Sequence, residues 1–265
     1  MTGTGTQNDP FIVDNWNDFI SIDNVDEVYI KWKDIENKVI DFNEIKPEGF
    51  AETIVLPRYT DFNGWTLKNF FANHDSYVFY GSSSSKNTYI KNLIFENFYL
   101  LNIQRIFYFI NLENCIISGI LNNNNNSHLV SYGNVTNCSF NVRLVTLKNF
   151  TFLQGQANKI KNSDVILDVS AKTFYLLGGE ICNAKNCRFS GEIRSSSGAV
   201  QLGGDFANVY NFVSNDPLKY TGSGVSVYNS DFSTCSGNEN LKPCTSEELK
   251  SPEFLYNIGF PIGVD

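Results

Sequence analysis

Apolar residues in this chain recur mostly at every second position, in runs of a few residues, and Gly, Ser and Asn gather between the runs; Val165-Ile-Leu-Asp-Val169 is one such run. Alternation of this kind marks half-buried strands, and the intervening residues are those that tolerate tight turns. A longer repeat is laid over the alternation. It consists of an apolar residue, any residue, Asn, two further residues and, in most copies, another apolar one. Its copies are Leu67-Lys-Asn69, Ile90-Lys-Asn92, Leu112-Glu-Asn114, Val135-Thr-Asn137, Leu147-Lys-Asn149, Ile160-Lys-Asn162, Ala184-Lys-Asn186, Val209-Tyr-Asn211 and Val227-Tyr-Asn229. The closing apolar position is taken by Phe95, Ile117, Phe140, Phe152, Val165, Phe189 and Phe232.

Successive motif asparagines lie 23, 22, 23, 12, 13, 24, 25 and 18 residues apart, and the two short steps make one ordinary step if Asn149 sits on a second face of its coil. A period of 22–25 residues built of strands and turns predicts an all-β fold: a single-stranded right-handed parallel β-helix of seven or eight coils. A leucine-rich repeat has a similar period but needs regular leucines and a helical half, which are missing. Equivalent residues of neighbouring coils should then stack about 4.8 Å apart. Asn69, Asn92, Asn114, Asn137, Asn162, Asn186 and Asn211 are expected to form one vertical ladder, each at a left-handed bend and each amide bonded to the next. Proline supports this reading, since none of the seven occurs between residues 58 and 216.

The ends depart from the repeat. Residues 1–60 are read as an N-terminal arm and cap, 61–235 as the solenoid, and 236–265 as a C-terminal cap with short helical turns. Asp14 is the expected N-cap of a short helix carrying Trp16, Phe19 and Ile20, followed by a strand over 27–32. Thr245 and Glu248 have capping-box spacing, and Ser251-Pro252 should start another helical turn that ends before Gly259. The polar runs Ser82 to Ser85, Asn122 to Asn126 and Ser195 to Ser197 are expected to project as loops.

Composition narrows the partners. With 42% hydrophobic residues and 14% aromatic ones the chain can fill a core, while a net charge of −8 opposes binding to nucleic acid or to an anionic membrane. The polar start has no signal-peptide order and no run is long enough to span a membrane, so synthesis and retention in the cytosol are expected. The six cysteines (115, 138, 182, 187, 235 and 244) lack zinc-knuckle spacing and are read as free, mostly buried thiols, with no metal and no cofactor.

Four segments carry a resemblance: Gly5-Thr-Gln-Asn-Asp-Pro-Phe-Ile-Val-Asp14, Asp41-Phe-Asn-Glu-Ile-Lys-Pro47, Asn63-Gly-Trp-Thr-Leu-Lys-Asn69 and Leu255-Tyr-Asn-Ile-Gly-Phe-Pro261. The chain resembles right-handed β-helix proteins encoded by phages and prophages of gut Firmicutes. The resemblance implies a tail- or capsid-associated virion protein, with other virion proteins as partners and a parallel homotrimer as an assembly that flat flanks would permit. It carries no catalytic residue over.

Two kinds of site are suggested by the coil register. At a fixed offset from the motif Asn stand Arg143, Asp168 and Glu192, and at another Gln156, Glu180 and Asp205. Stacked carboxylates about 5 Å apart would suit a retaining glycosidase or other depolymerase of host glycans, whereas the same ladder paired with arginine is an ordinary solvated surface. The second kind is aromatic. Phe98, Phe107, Phe109 and Phe174 are expected to fill the core, leaving Tyr99, Tyr108 and Tyr175 as outward rings that could contact host surface polysaccharide. With no nucleotide-binding loop, nucleophile elbow or HExxH pair, and with His74 and His128 the only histidines, a non-enzymatic role is the expectation and a polysaccharide lyase or glycosidase the alternative.

Overall fold

The computed structural model describes residues 1–22, 27–81, 88–155, 158–178, 183–201, 208–214, 227–229, 241–243, 248 and 251–257. Its strands join into one continuous sheet wound as a β-solenoid, and the pairing between coils is parallel throughout the stack. On a first face, Thr60 aligns with Ile90, then Leu112, Val135, Ile160, Ala184 and Val209, so six steps carry the chain through about six turns. That is fewer than the seven or eight expected. The steps near the ends are not of regular length: Ile30 to Thr60 spans 30 positions, Phe212 to Val227 only 15.

Each turn has a second face, seen in Thr66–Lys68, Ile94–Leu101, Ile116–Asn123 and Ser139–Thr146. A third face holds Ile54–Leu56, Tyr77–Gly81, Arg105–Tyr108, Ser127–Ser131 and Asn149–Gln154. The strand Lys159–Gly178 passes over all three. Asn149 accordingly lies on a different face from Asn137 and Asn162, as the short spacings required.

The alternation decides which side chains enter the core. Leu67, Phe95, Ile117, Phe140 and Val165 stack coil upon coil and are completely buried. Removing such side chains from water is the main force holding the turns together, at roughly 2–3 kcal/mol for each large one. Phe98, Phe107 and Phe174 are likewise inside. At the N-terminal end Trp16 and Phe19 plug the open bore, packing on Phe42 at 5.0 Å and Trp32 at 5.3 Å between ring centroids. They belong to the short helix Trp16–Ile20, whose N-cap is Asn15, not Asp14: the Asn15 Oδ1 accepts from Asp18 N at 2.8 Å. Ile20, expected on its apolar side, is exposed. The helix Pro252–Asn257 starts where expected, with Ser251 Oγ accepting from Phe254 N, while Thr245 and the segment 82–87 lie outside the described residues.

The asparagine ladder exists, with two corrections. Asn114 donates to Asn92 at 3.3 Å, Asn137 to Asn114 at 3.2 Å and Asn162 to Asn137 at 3.2 Å, and all four have φ between 48° and 54°. By backbone register Asn186 and Asn211 continue this column. Asn69 does not belong to it. The register Lys68 to Glu96 sets Asn69 beside Asn97, at a second corner, and its amide donates to Asp41 at 2.8 Å. The motif fits a second corner there because the first two coils, each 30 residues on the first face, are longer than the 22-residue step that follows. The ladder also runs along the outside, Asn114 and Asn137 being exposed, because the left-handed bend turns the side chain away from the bore. The residue after each ladder member turns inward instead, which buries Cys115, Cys138, Ser163 and Cys187; these three thiols are free. Cys182, Cys235 and Cys244 lie outside the described residues.

Ser195–Ser197, expected as a loop, lies within the strand Ile193–Gln201. The register there slips from Ala171 opposite Ser195 to Thr173 opposite Ala199, so the serines form an irregularity inside the sheet. Asn122 and Asn123 also end a strand; Asn123 is buried and donates to Ser127 Oγ, which pins the turn that follows. Among the described residues no helix is long and apolar enough to cross a membrane.

Candidate ligand-binding face

The acidic ladder forms as the offsets implied and is neutralised by arginine. Arg143 aligns with Asp168, and Val169 N donates to Glu192 O, which places Glu192 one coil beyond. Arg143 Nε stands 3.6 Å from Asp168, and Arg194 reaches both Asp168, at 3.5 Å, and Glu192. These side chains are about half exposed, so each pair contributes little to stability. Both carboxylates are already engaged by guanidinium groups, the arrangement of a solvated ion-pair ladder. Glu180 and Asp205 lie outside the described residues. Replacing Asp168 with Asn is expected to shift unfolding free energy by less than about 1 kcal/mol, measured by denaturant titration; a loss of several kcal/mol would mean that this ladder is a structural spine.

The candidate tyrosines divide between two faces. Tyr99 is exposed on the second face and lies flat against Phe71, with ring centroids 6.1 Å apart. Tyr108 and Tyr175 are on the third face, whose outward positions follow from register. One outward column runs Tyr77, Arg105, His128, Thr151, Tyr175, and a second runs Tyr80, Tyr108, Ser131, Gln154, Gly178. The chain then bends back to the first face at Phe109, Tyr132 and Gly155, with φ of 58°, 57° and 143°.

That bend is the most unusual feature of the molecule. A left-handed backbone disfavours side chains beyond Gly, Asn and Asp, at a cost of about 1–2 kcal/mol each. Elsewhere the described corners are turned almost wholly by Asn and Gly. Here two aromatic residues occupy successive coils, their rings 5.2 Å apart and inclined at 25°. Tyr108 leans on Phe109 at 4.2 Å, meets Tyr132 nearly edge-on at 5.8 Å, and packs against Tyr77 at 4.4 Å and Tyr80 at 5.6 Å. Tyr132 ends the aromatic series and is 37% exposed. Gly155 follows it in the next coil, where a Cβ would come within 3.0 Å of the Tyr132 ring.

Polar groups surround this aromatic surface. The Arg105 guanidinium lies over Tyr108 at 4.7 Å and over Tyr77 at 5.3 Å. Arg105 Nε, His128 Nδ1, Ser131 Oγ and Gln154 Oε1 are buried without a hydrogen-bond partner among the described residues, and Ser131 is buried completely. Buried polar groups are almost always paired, so four orphans in two neighbouring columns leave unmet hydrogen-bonding capacity beneath the aromatic surface. Burial, and then the Arg105 charge, lower the His128 pKa to about 4, so its ring is neutral at pH 7. Burial raises the Tyr108 pKa against the opposing pull of Arg105, which keeps its hydroxyl protonated. His74, with its pKa lowered by burial, is not on this face.

A second aromatic series lies on the first face. Tyr29, Tyr59 and Tyr89 stack with centroids 4.1 and 5.5 Å apart and interplanar angles of 8° and 10°, beside a groove of about 480 Å³ edged by Lys31, Asp61, Lys91 and Glu113. Their flat faces cover one another, leaving mainly edges and hydroxyls for the groove. They read first as a spine that supplements the core.

The sequence reading found Tyr108 and Tyr175 but not Tyr77, Tyr80, Arg105, His128, Tyr132 or Gln154 as their companions. A usable signal was present: Phe109 and Tyr132 are 23 residues apart, one coil, at a turn position where Asn or Gly is the rule. No protein-family model matches the chain, and no curated protein matches it.

Proposed function

We propose that this protein is a non-enzymatic, receptor-facing component of a bacteriophage particle, and that its third face holds saccharide units of the host surface. The resemblance of its end segments to phage-encoded β-helix proteins supplies the particle context. The observation that carries the binding role is the strained aromatic corner at Phe109 and Tyr132. Strain of this kind persists where the surrounding fold overrides it and clusters at functional sites. Rings held at an angle offer partial faces to the C–H side of a pyranose. Capture without chemistry fits an acidic ladder whose carboxylates are already engaged by arginine.

Host-surface polysaccharide titrated against the purified protein should bind without release of reducing ends. Tyr132→Ala should weaken that binding about tenfold, equivalent to one lost aromatic contact of ~1.4 kcal/mol. The protein should also band with virions at constant stoichiometry in a density gradient. Steady release of reducing ends would instead favour the depolymerase reading, and absence from purified particles would remove the virion role.

A further inference from the structure

We propose that Arg105 is the anchor of an oxyanion subsite, so that the saccharide held at the aromatic corner is an acidic one. This rests on the binding role argued above and specifies its ligand. Arg58 is paired with Glu27, Arg143 with Asp168, and Arg194 with Asp168 and Glu192. Arg105 differs from all three: no carboxylate lies within ion-pair distance of it among the described residues, although the chain carries a net charge of −8. A half-buried guanidinium without a counter-ion is costly, and the two tyrosine rings beneath it offset only part of that cost. They also fix its orientation. A planar cation clamped on aromatic faces presents its N–H fork in a set direction, which suits the paired oxygens of a carboxylate or phosphate.

The neighbours extend the argument. Arg105 aligns with His128 in the next coil, and on the parallel column Tyr108 aligns with Ser131 and Ser131 with Gln154, each step close to 4.8 Å. Among the described residues, Ser131 Oγ, His128 Nδ1 and Gln154 Oε1 lie buried and unpartnered beneath the rings, so no second charge or committed hydrogen bond in these columns competes for the guanidinium. One fixed cation without a counter-ion, set over a group of rings, matches a sugar that bears an oxyanion. Asp75, two residues before Tyr77 in the preceding coil, is engaged by amides: its Oδ1 accepts from Gln104 at 2.9 Å and from Asn125 at 3.4 Å.

The test is calorimetric titration of the full chain with three probes: an oligoglucuronate, the same oligomer after carboxyl reduction, and a glycerol-phosphate oligomer. The oligoglucuronate is expected to bind at least tenfold tighter than its reduced form. Arg105→Gln should abolish that difference, Arg105→Lys should restore part of it, and Tyr132→Ala should weaken both sugars alike. Tighter binding of the glycerol-phosphate oligomer, lost in Arg105→Gln, would support the subsite with phosphate as its natural anion. Equal affinity of the wild type for the acidic and reduced sugars would overturn the subsite while leaving saccharide binding in place. Binding of none of the three probes would overturn both. Should Arg105→Gln fail to fold, the ratio of acidic to reduced affinity in the wild type still decides the question.

Discussion

Gly133→Ala is expected to destabilise the protein by at least about 3 kcal/mol, a larger loss than most single substitutions cause. The reason is steric and local. A Cβ on Gly133 would stand 1.8 Å from the carbonyl oxygen of Ile110 and 2.6 Å from its carbon, well inside contact distance. Those atoms belong to the backbone of the preceding coil, so no side chain can rotate out of the way. Nor can Gly133 itself retreat. On one side Tyr132 N donates to Gln154 O at 2.7 Å, and on the other Asn134 N donates to the side chain of Asn111 at 2.7 Å. Relief therefore requires two coils to part at the strained corner, breaking ladder hydrogen bonds and opening the core beneath. Gly64 is the control. It has φ of +78° but nothing within 4 Å of a would-be Cβ, so Gly64→Ala should cost only the backbone preference, about 1 kcal/mol. Denaturant unfolding followed by circular dichroism compares the two, and equal midpoints would show that the corner is softer than its contacts indicate.

The same corner shows what the sequence could and could not express. Strand alternation, the coil period and the inward series from Leu67 to Val165 were all legible, because a stacked core imposes the same choice in every coil and repetition exposes it. Asn69 was misassigned because a single motif fits two corners equally well; the difference lies in the number of residues between them, which is not constant in the early coils. The ligand-binding face was only partly legible. Tyr77, Arg105 and His128 are vertical neighbours separated by 28 and then 23 positions, and an unequal step hides an alignment that an equal one reveals. The orphaned atoms of Ser131 and Gln154 carry no sequence signal at all, since whether a hydroxyl or amide finds a partner depends on what lies across the turn.

The direction of the asparagine ladder leads to the second large effect, at Asn137. Each amide nitrogen donates toward the preceding coil, and the column ends on Asp61, whose Oδ1 accepts from Asn92 at 2.8 Å. Asp41 ends the other corner under Asn69 in the same way, and that hydrogen bond is the leading cause of its lowered pKa. A carboxylate can only accept when ionised, so acid is tolerated at the first position and nowhere above it. Asn137→Asp would still accept from Asn162 but would set a carboxylate oxygen against Asn114 Oδ1, replacing a donor with a repulsive contact. Asn137→Ala loses both amide bonds and keeps φ at 52°, for a combined cost of about 2–3 kcal/mol. Asn137→Gly loses the same bonds but relieves the backbone, so about 1 kcal/mol should separate it from the alanine variant. The expected order of stability is wild type, then Gly, then Ala. Asp should lie below Gly at neutral pH and recover as the carboxyl is protonated on acidification, since a protonated Asp can again donate to Asn114. Thermal unfolding of the three variants at neutral and acidic pH measures this order. If Asp equals Asn at neutral pH, the amides are not acting as a directed chain, and the left-handed turn alone explains why asparagine recurs.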